Sequence, residues 1–157
     1  MNNFAFIDGQ NLYQGVKSLG WKLDYGKFRN YLRQKYWVRK AYMFMGRVEG
    51  LQDVYDSLVR SGFELIFKDV LEYRDGTVKG NIDTELVLHA MIDYCNYHRA
   101  IIVSSDGDFA CLVNYLREQD KLMVVLSPHV DTCSSLLKKS AQGKISFIDD
   151  LKKHLTY

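Results

Sequence analysis

The stretch Ala100-Ile101-Ile102-Val103-Ser104-Ser105-Asp106-Gly107-Asp108-Phe109 sets the architecture. Four apolar residues in a row, without alternation, are what a central parallel strand shows, because both of its faces are covered. Serines and an aspartate follow where such a strand ends, and Phe109, Leu112, Val113 and Leu116 then recur at helical spacing. Toward the N-terminus, Phe4 to Ile7 reads as a second buried strand ending at Asp8, followed by a glycine-containing turn and a helix through about Leu19. Asp24 is placed as the N-cap of a helix carrying Phe28, Tyr31 and Leu32, and Ala41 to Met45 as a strand closed by Gly46. Leu51, Val54, Tyr55, Leu58 and Val59 predict a helix that stops near Gly62. Phe63 to Tyr73 is strand-like and runs into Arg74-Asp75-Gly76-Thr77, where Asp-Gly signals a hairpin. From Asp83, Leu86, Val87, Ala90, Met91 and Tyr94 share a helix face. Leu122 to Leu126 predicts another buried strand, Ser134 to Lys139 a short helix, and Ile145 to Ile148 an edge strand before a basic terminal helix. Alternation this regular predicts an α/β fold with a doubly covered, mostly parallel sheet.

With 157 residues and no linker or repeat, the chain is expected to form one domain, residues 1–157. No apolar run has the roughly 20 residues needed to cross a bilayer, and the start MNNFAFIDGQN lacks the features of a secretory leader, so the expected compartment is cytoplasmic, with no membrane partner. Cys95, Cys111 and Cys133 are odd in number and far apart, which excludes a disulfide framework or a CxxC site; they are expected as reduced thiols, two of them in the core.

In an open α/β sheet the working site lies beyond the carboxyl ends of the strands, where the winding reverses. Asp8 and Asp106 fall at two such ends, Asp108 follows at the start of the next helix, and Asp83 opens another helix. Gathered carboxylates repel one another, so a fold that collects them binds a cation there, and hard oxygen ligands suit Mg2+ or Mn2+. Each aspartate also has a plainer reading: Asp83 and Asp108 as helix caps, Asp8 as a turn residue. Their coincidence at two buried strand ends and two helix starts favours the cluster. Other phosphate chemistry is missing: there is no GxxxxGK[ST], no GxGxxG after the first strand, and Gln10 stands where a phosphoaspartyl enzyme needs a second aspartate. There is likewise no GxSxG elbow, and the four histidines show no ligand spacing; His89 reads as a helix-surface or partly packed residue.

Three segments, Phe6-Ile7-Asp8-Gly9-Gln10-Asn11-Leu12, Lys79-Gly80-Asn81-Ile82-Asp83-Thr84-Glu85-Leu86 and Val103-Ser104-Ser105-Asp106-Gly107-Asp108-Phe109, resemble the NYN domain of the PIN-like nuclease superfamily, in its LabA-like branch. The resemblance covers nearly the whole chain. It departs at Ala141-Gln142-Gly143-Lys144, where the family often has Ala-Asp, and no function is carried to that segment. It implies a three-layer α/β/α PIN-like domain in which the first and fourth strands are neighbours. It further implies a metal-dependent ribonuclease in which Asp8, Asp83, Asp106 and Asp108 are catalytic residues holding Mg2+ or Mn2+, Asn11 and Ser104 orient ligands or substrate, and Lys79 faces a phosphate.

The first functional reading is therefore an endoribonuclease acting on single-stranded RNA, for which 11 tyrosines offer some stacking surface. Arg47, Arg74 and Lys79 are the candidate phosphate contacts. The net charge is only +2, yet with those four aspartates set aside 21 basic residues face 15 acidic ones, which suits a polyanion. A non-catalytic module binding RNA or a protein partner stays open, as does a cation-dependent phosphatase or nucleotidase, which would need a closed pocket for a small substrate. A homo-oligomer is equally left open.

Overall fold

The computed structural model of the chain describes residues 1–68, 71, 72, 74, 78, 79 and 82–157. Among the described residues lie the strands β1 (Asn3–Asp8), β2 (Val38–Gly46), β3 (Glu64–Lys68), β4 (Leu71–Glu72), β5 (Val78–Lys79), β6 (Ala100–Val103), β7 (Leu122–Ser127) and β8 (Ile145–Phe147). The helices are α1 (Gly9–Ser18), α2 (Tyr25–Tyr36), α3 (Gln52–Arg60), α4 (Asp83–Ile92), α5 (Ala110–Glu118), α6 (Ser135–Ala141) and α7 (Lys152–Leu155). Six strands form one all-parallel sheet in the order β3-β2-β1-β6-β7-β8, and β4 and β5 pair as a separate antiparallel ribbon. The Asp-Gly turn expected between them, residues 75–76, lies outside the described residues.

Strand order follows from burial. Every residue of β1 and β6 is buried, and the two pair in register from Phe4 with Ala100 to Ile7 with Val103. They are the centre of the sheet, as their uninterrupted apolar runs require. One face is closed by Leu12, Val16, Phe28, Leu32, Leu58 and Leu155 from α1, α2, α3 and α7, against Ala5, Ile7, Met43, Ile101 and Val103. The other is closed by Leu86, Ala90, Leu112, Leu116 and Leu137 from α4, α5 and α6, against Phe6, Phe44, Ile102 and Val125. Three layers result, with the sheet between two sets of helices. Winding proceeds outward from β1 to β3 on one side and from β6 to β8 on the other, so its direction reverses between β1 and β6. The crevice at that reversal is where such sheets place ligands.

Several expectations need correction. No turn separates β1 from α1, which starts at Gly9 directly behind Asp8. Such an abrupt start requires glycine, because a Cβ there would lie 3.0 Å from both the Phe44 carbonyl oxygen and Met43 Cγ on the neighbouring strand. Cys95 and Cys111 are exposed and only Cys133 is buried, so one thiol rather than two belongs to the core. Met91, read as part of the inner face of α4, is 39% exposed, because the sheet takes only Leu86 and Ala90 fully from that helix. The terminal helix is a single 3-10 turn, Ile148–Leu151, followed by four α-helical residues.

Candidate metal centre

Asp8 ends β1 and Asp106 follows β6, so the pairing of those strands brings both to one crevice. Asp8 Oδ1 accepts from the Asn11 backbone N at 3.2 Å, capping α1, and Oδ2 accepts from Ser104 Oγ at 3.4 Å. Ser104 Oγ in turn accepts from the Asp106 N at 3.1 Å, so one buried hydroxyl ties the end of β1 to the loop after β6. Asn11 makes the second tie: its Oδ1 accepts from Ser105 N at 2.9 Å and its Nδ2 donates to Ser105 Oγ at 2.8 Å. Asp106 Oδ1 accepts from Asp108 N at 2.9 Å, capping the 3-10 turn Gly107–Phe109. Gly107 is needed between them, since a side chain would drive into Ser134 Oγ, the N-cap of α6.

The helix-cap reading is thereby redistributed. Asp83 is the first residue of α4, whose N-cap is Ile82 without a side-chain bond, and α5 likewise begins without a side-chain cap. The caps are the two strand-end residues, Asp8 and Asp106. One carboxylate oxygen from each of Asp83, Asp106 and Asp108 lies within 4.8 Å of the other two. Asp8 is outside that triad but lines the same cleft, of about 350 Å³, with Gln10, Asn11, Gln14, Ile82, Asp83 and Asp106.

Electrostatically the cleft is strained. Burial pushes the Asp8 carboxyl up to about 6, and the charge of Asp106 adds to the rise against the hydrogen bonds from Asn11 and Ser104. Burial also lifts Asp83 to about 6, followed by repulsion from Asp106, Asp8 and Asp108. Among the described residues, Asp8, Asp106 and Asp108 form no ion pair with a lysine, arginine or histidine. Crowded, poorly neutralised carboxylate oxygens are the donor set a hard divalent cation takes. Asp83, Asp106 and Asp108 fit such an ion by proximity, and Asp8 fits as a fourth acidic group on the rim.

Of the remaining sequence candidates, Asn11 lines the cleft while its amide is spent on Ser105, and Ser104 sits beneath Asp8. Lys79 pairs through its backbone with Leu71, and its side chain lies outside the described residues. His89 packs its ring against Phe44 at 5.4 Å, a partly buried neighbour of the sheet. Ser105, Gln10 and Gln14 were not anticipated. The glutamines could have been found, since positions 10 and 14 are one helical turn apart behind Asp8; Ser105 could not, because its partner is 94 residues away.

The chain is thus a three-layer α/β protein with an acidic cleft at the switch point of its parallel sheet. The model of the NYN domain family matches residues 4–149, and the chain belongs to that family. It is 28% identical over 133 residues to the Low amplitude and bright protein LabA of Synechococcus elongatus, a match covering 78% of this chain and 71% of that one. The crystal structure of a protein of unknown function from Vibrio parahaemolyticus is similar throughout, with a TM-score of 0.81, 26% identity, and coverage of 99% of this chain and 96% of that one.

Proposed function

We propose that the protein is a metal-dependent ribonuclease that hydrolyses internal phosphodiester bonds of single-stranded RNA, with Asp8, Asp83, Asp106 and Asp108 holding Mg2+ or Mn2+. One observation carries the reading: Asp8, Asp83 and Asp106, from three separated segments, line a single cleft at the reversal of the sheet, and an Asp108 carboxylate oxygen lies within 4.8 Å of those of Asp83 and Asp106. Membership of the NYN domain family supports a nuclease-type hydrolase. The cleft is bordered by the exposed side chains of Gln10 and Gln14 and is not a closed chamber, which favours a polymer over a small phosphate ester.

A divalent cation at these carboxylates supplies a lowered water pKa and neutralises charge developing on the phosphate. The chain's own contribution is to gather and fix the acidic groups. Ser104 and Asn11 hold the Asp8 and Asp106 segments in register, each donating one hydrogen bond to the Asp8 carboxylate. Gln10 and Gln14 present amide groups along the cleft wall to the polynucleotide, and Lys79, four residues before Asp83, meets a substrate phosphate. No helix among the described residues is long and apolar enough to cross a membrane.

Internally labelled RNA with both ends blocked is the test. Cleavage in Mg2+ or Mn2+, abolished by chelator, is expected. RNA that is bound but stays intact in both metals would replace the nuclease by a non-catalytic RNA-binding module, and turnover of small phosphate esters alone would replace it by a phosphatase.

A further inference from the structure

We infer that Arg47 is a prepositioned clamp for an RNA backbone phosphate flanking the cleft, an assignment that rests on the ribonuclease reading. Arg47 follows β2, the strand beside β1, and its backbone N still donates to the Lys68 carbonyl at 3.4 Å. The level of Asp8 on β2 is Phe44, so Arg47 stands three residues further along, roughly 10 Å at about 3.3 Å per residue. That places it on the same rim as the carboxylates, and far enough away to meet a neighbouring phosphate instead of the one at the acidic groups.

Its side chain is held by a built support. The guanidinium lies over the Phe67 ring at 4.1 Å from the centroid, and Phe67 is braced edge-on by Tyr55 at 4.8 Å. Tyr55 is 6% exposed, and its hydroxyl accepts from Val48 N at 2.9 Å and donates to Val48 O at 3.4 Å, which fixes the loop carrying Arg47. Stacking of this kind leaves the planar N–H donors available at the edge of the group. Among the described residues no carboxylate or carbonyl takes them. An exposed guanidinium, immobilised by aromatic rings with its donors unspent, matches the bidentate geometry of a phosphate. Positive charge here also offsets the repulsion that the acidic cleft exerts on the chain it must admit.

The probe is fluorescence anisotropy of labelled single-stranded oligouridine and oligoadenosine in Mg2+, in an Asp106→Asn background that leaves the RNA uncut. Adding Arg47→Gln should weaken binding about tenfold at low salt and lower the log-log salt slope by about 0.7, the value for one phosphate on a single strand. The loss should be equal for both sequences, since a phosphate carries no base information. Phe67→Leu keeps the charge and removes the platform, so it should weaken binding at unchanged slope. Binding with the slope unaltered by Arg47→Gln, or a loss confined to one sequence, would overturn the clamp and leave the nuclease reading standing. Absence of RNA binding by both wild type and Asp106→Asn would overturn the nuclease reading, and the clamp with it.

Discussion

The two ends of the sheet treat polar groups in opposite ways. At the amino end they are matched. Arg29 is buried and donates to the carbonyls of Gly62, Val38 and Arg39 at 3.1 to 3.2 Å. Asn3, fully buried, donates to Tyr36 O at 2.7 Å and accepts from Arg99 N at 3.0 Å. Arg99 pairs with Asp120 at 3.2 Å, and Lys121 donates to the carbonyls of Tyr94 and Tyr97. At the carboxyl end, carboxylates are gathered against one another with two of them raised to about 6, and Ser127 is a buried hydroxyl without a partner among the described residues. Same sheet, same strands: one rim is satisfied by the chain itself, and the other is left in a state that a bound cation would relieve. On the proposed function, stability and catalysis are thus separated by about the length of a strand, and the two ends should respond differently to mutation.

Catalysis should show the largest contrast. Asp106→Asn is expected to lower RNA cleavage in Mg2+ on the order of 1000-fold, about 4 kcal/mol in transition-state terms, while hardly changing the unfolding midpoint in chelator. Single-turnover cleavage beside urea denaturation checks it. Asn3→Ala at the opposite rim should do the reverse, costing roughly 3 kcal/mol of stability because the Tyr36 carbonyl and the Arg99 N–H are both left buried without their partner. Cleavage per folded molecule should stay at the wild-type level. A matched loss of activity in both variants would erase the distinction between the two ends.

The pH dependence of stability should differ as well. Folded Asp8 holds its proton up to about pH 6, whereas the unfolded chain releases it near 3.8. Between those values the folded state binds more protons, so this contribution to stability is complete below the lower value and is lost as pH rises through about 6. In metal-free buffer, the stability of wild type relative to Asp8→Asn should therefore fall from acid to neutral pH, by on the order of 3 kcal/mol. A difference that grows with pH would mean the carboxylate is stabilised by a partner and the cleft is not strained.

Much of this contrast was readable in the sequence. β1 and β6 announce themselves because a strand covered on both faces is apolar along its length from Phe4 to Ile7 and from Ala100 to Val103, and a charge placed beyond its end then stands out. The parallel, three-layer arrangement follows from the alternation of such runs with amphipathic helices. Which aspartate caps which helix was not readable, since Asp8, Asp83, Asp106 and Asp108 all sit within a residue or two of a helix start and only backbone geometry decides between them. The Asn11–Ser105 tie and the Arg47–Phe67–Tyr55 stack were hidden for a related reason: each depends on side chains brought together by strand order, with no local pattern to mark them.

The smallest expected effect separates the two roles that Asp106 combines. Its carboxylate caps the turn at Gly107–Phe109 through Asp108 N, and it also repels Asp83 and Asp8. Asparagine caps about as well as aspartate, so Asp106→Asn keeps the hydrogen bond and removes the charge. In chelator at neutral pH it should melt at or above wild type, because relief of repulsion is not offset by a lost cap. Asp106→Ala removes both and should melt below Asp106→Asn by about 1 kcal/mol, some 2–4 °C for a domain of this size. Mg2+ should then raise the wild-type melting temperature, since a ligand that binds only the folded state stabilises it, and should move both variants less. If Asp106→Asn melts clearly below wild type in chelator and Mg2+ shifts all three proteins equally, the carboxylate is a structural cap like the groups at the amino end, and the two rims differ in nothing but the sign of their charge.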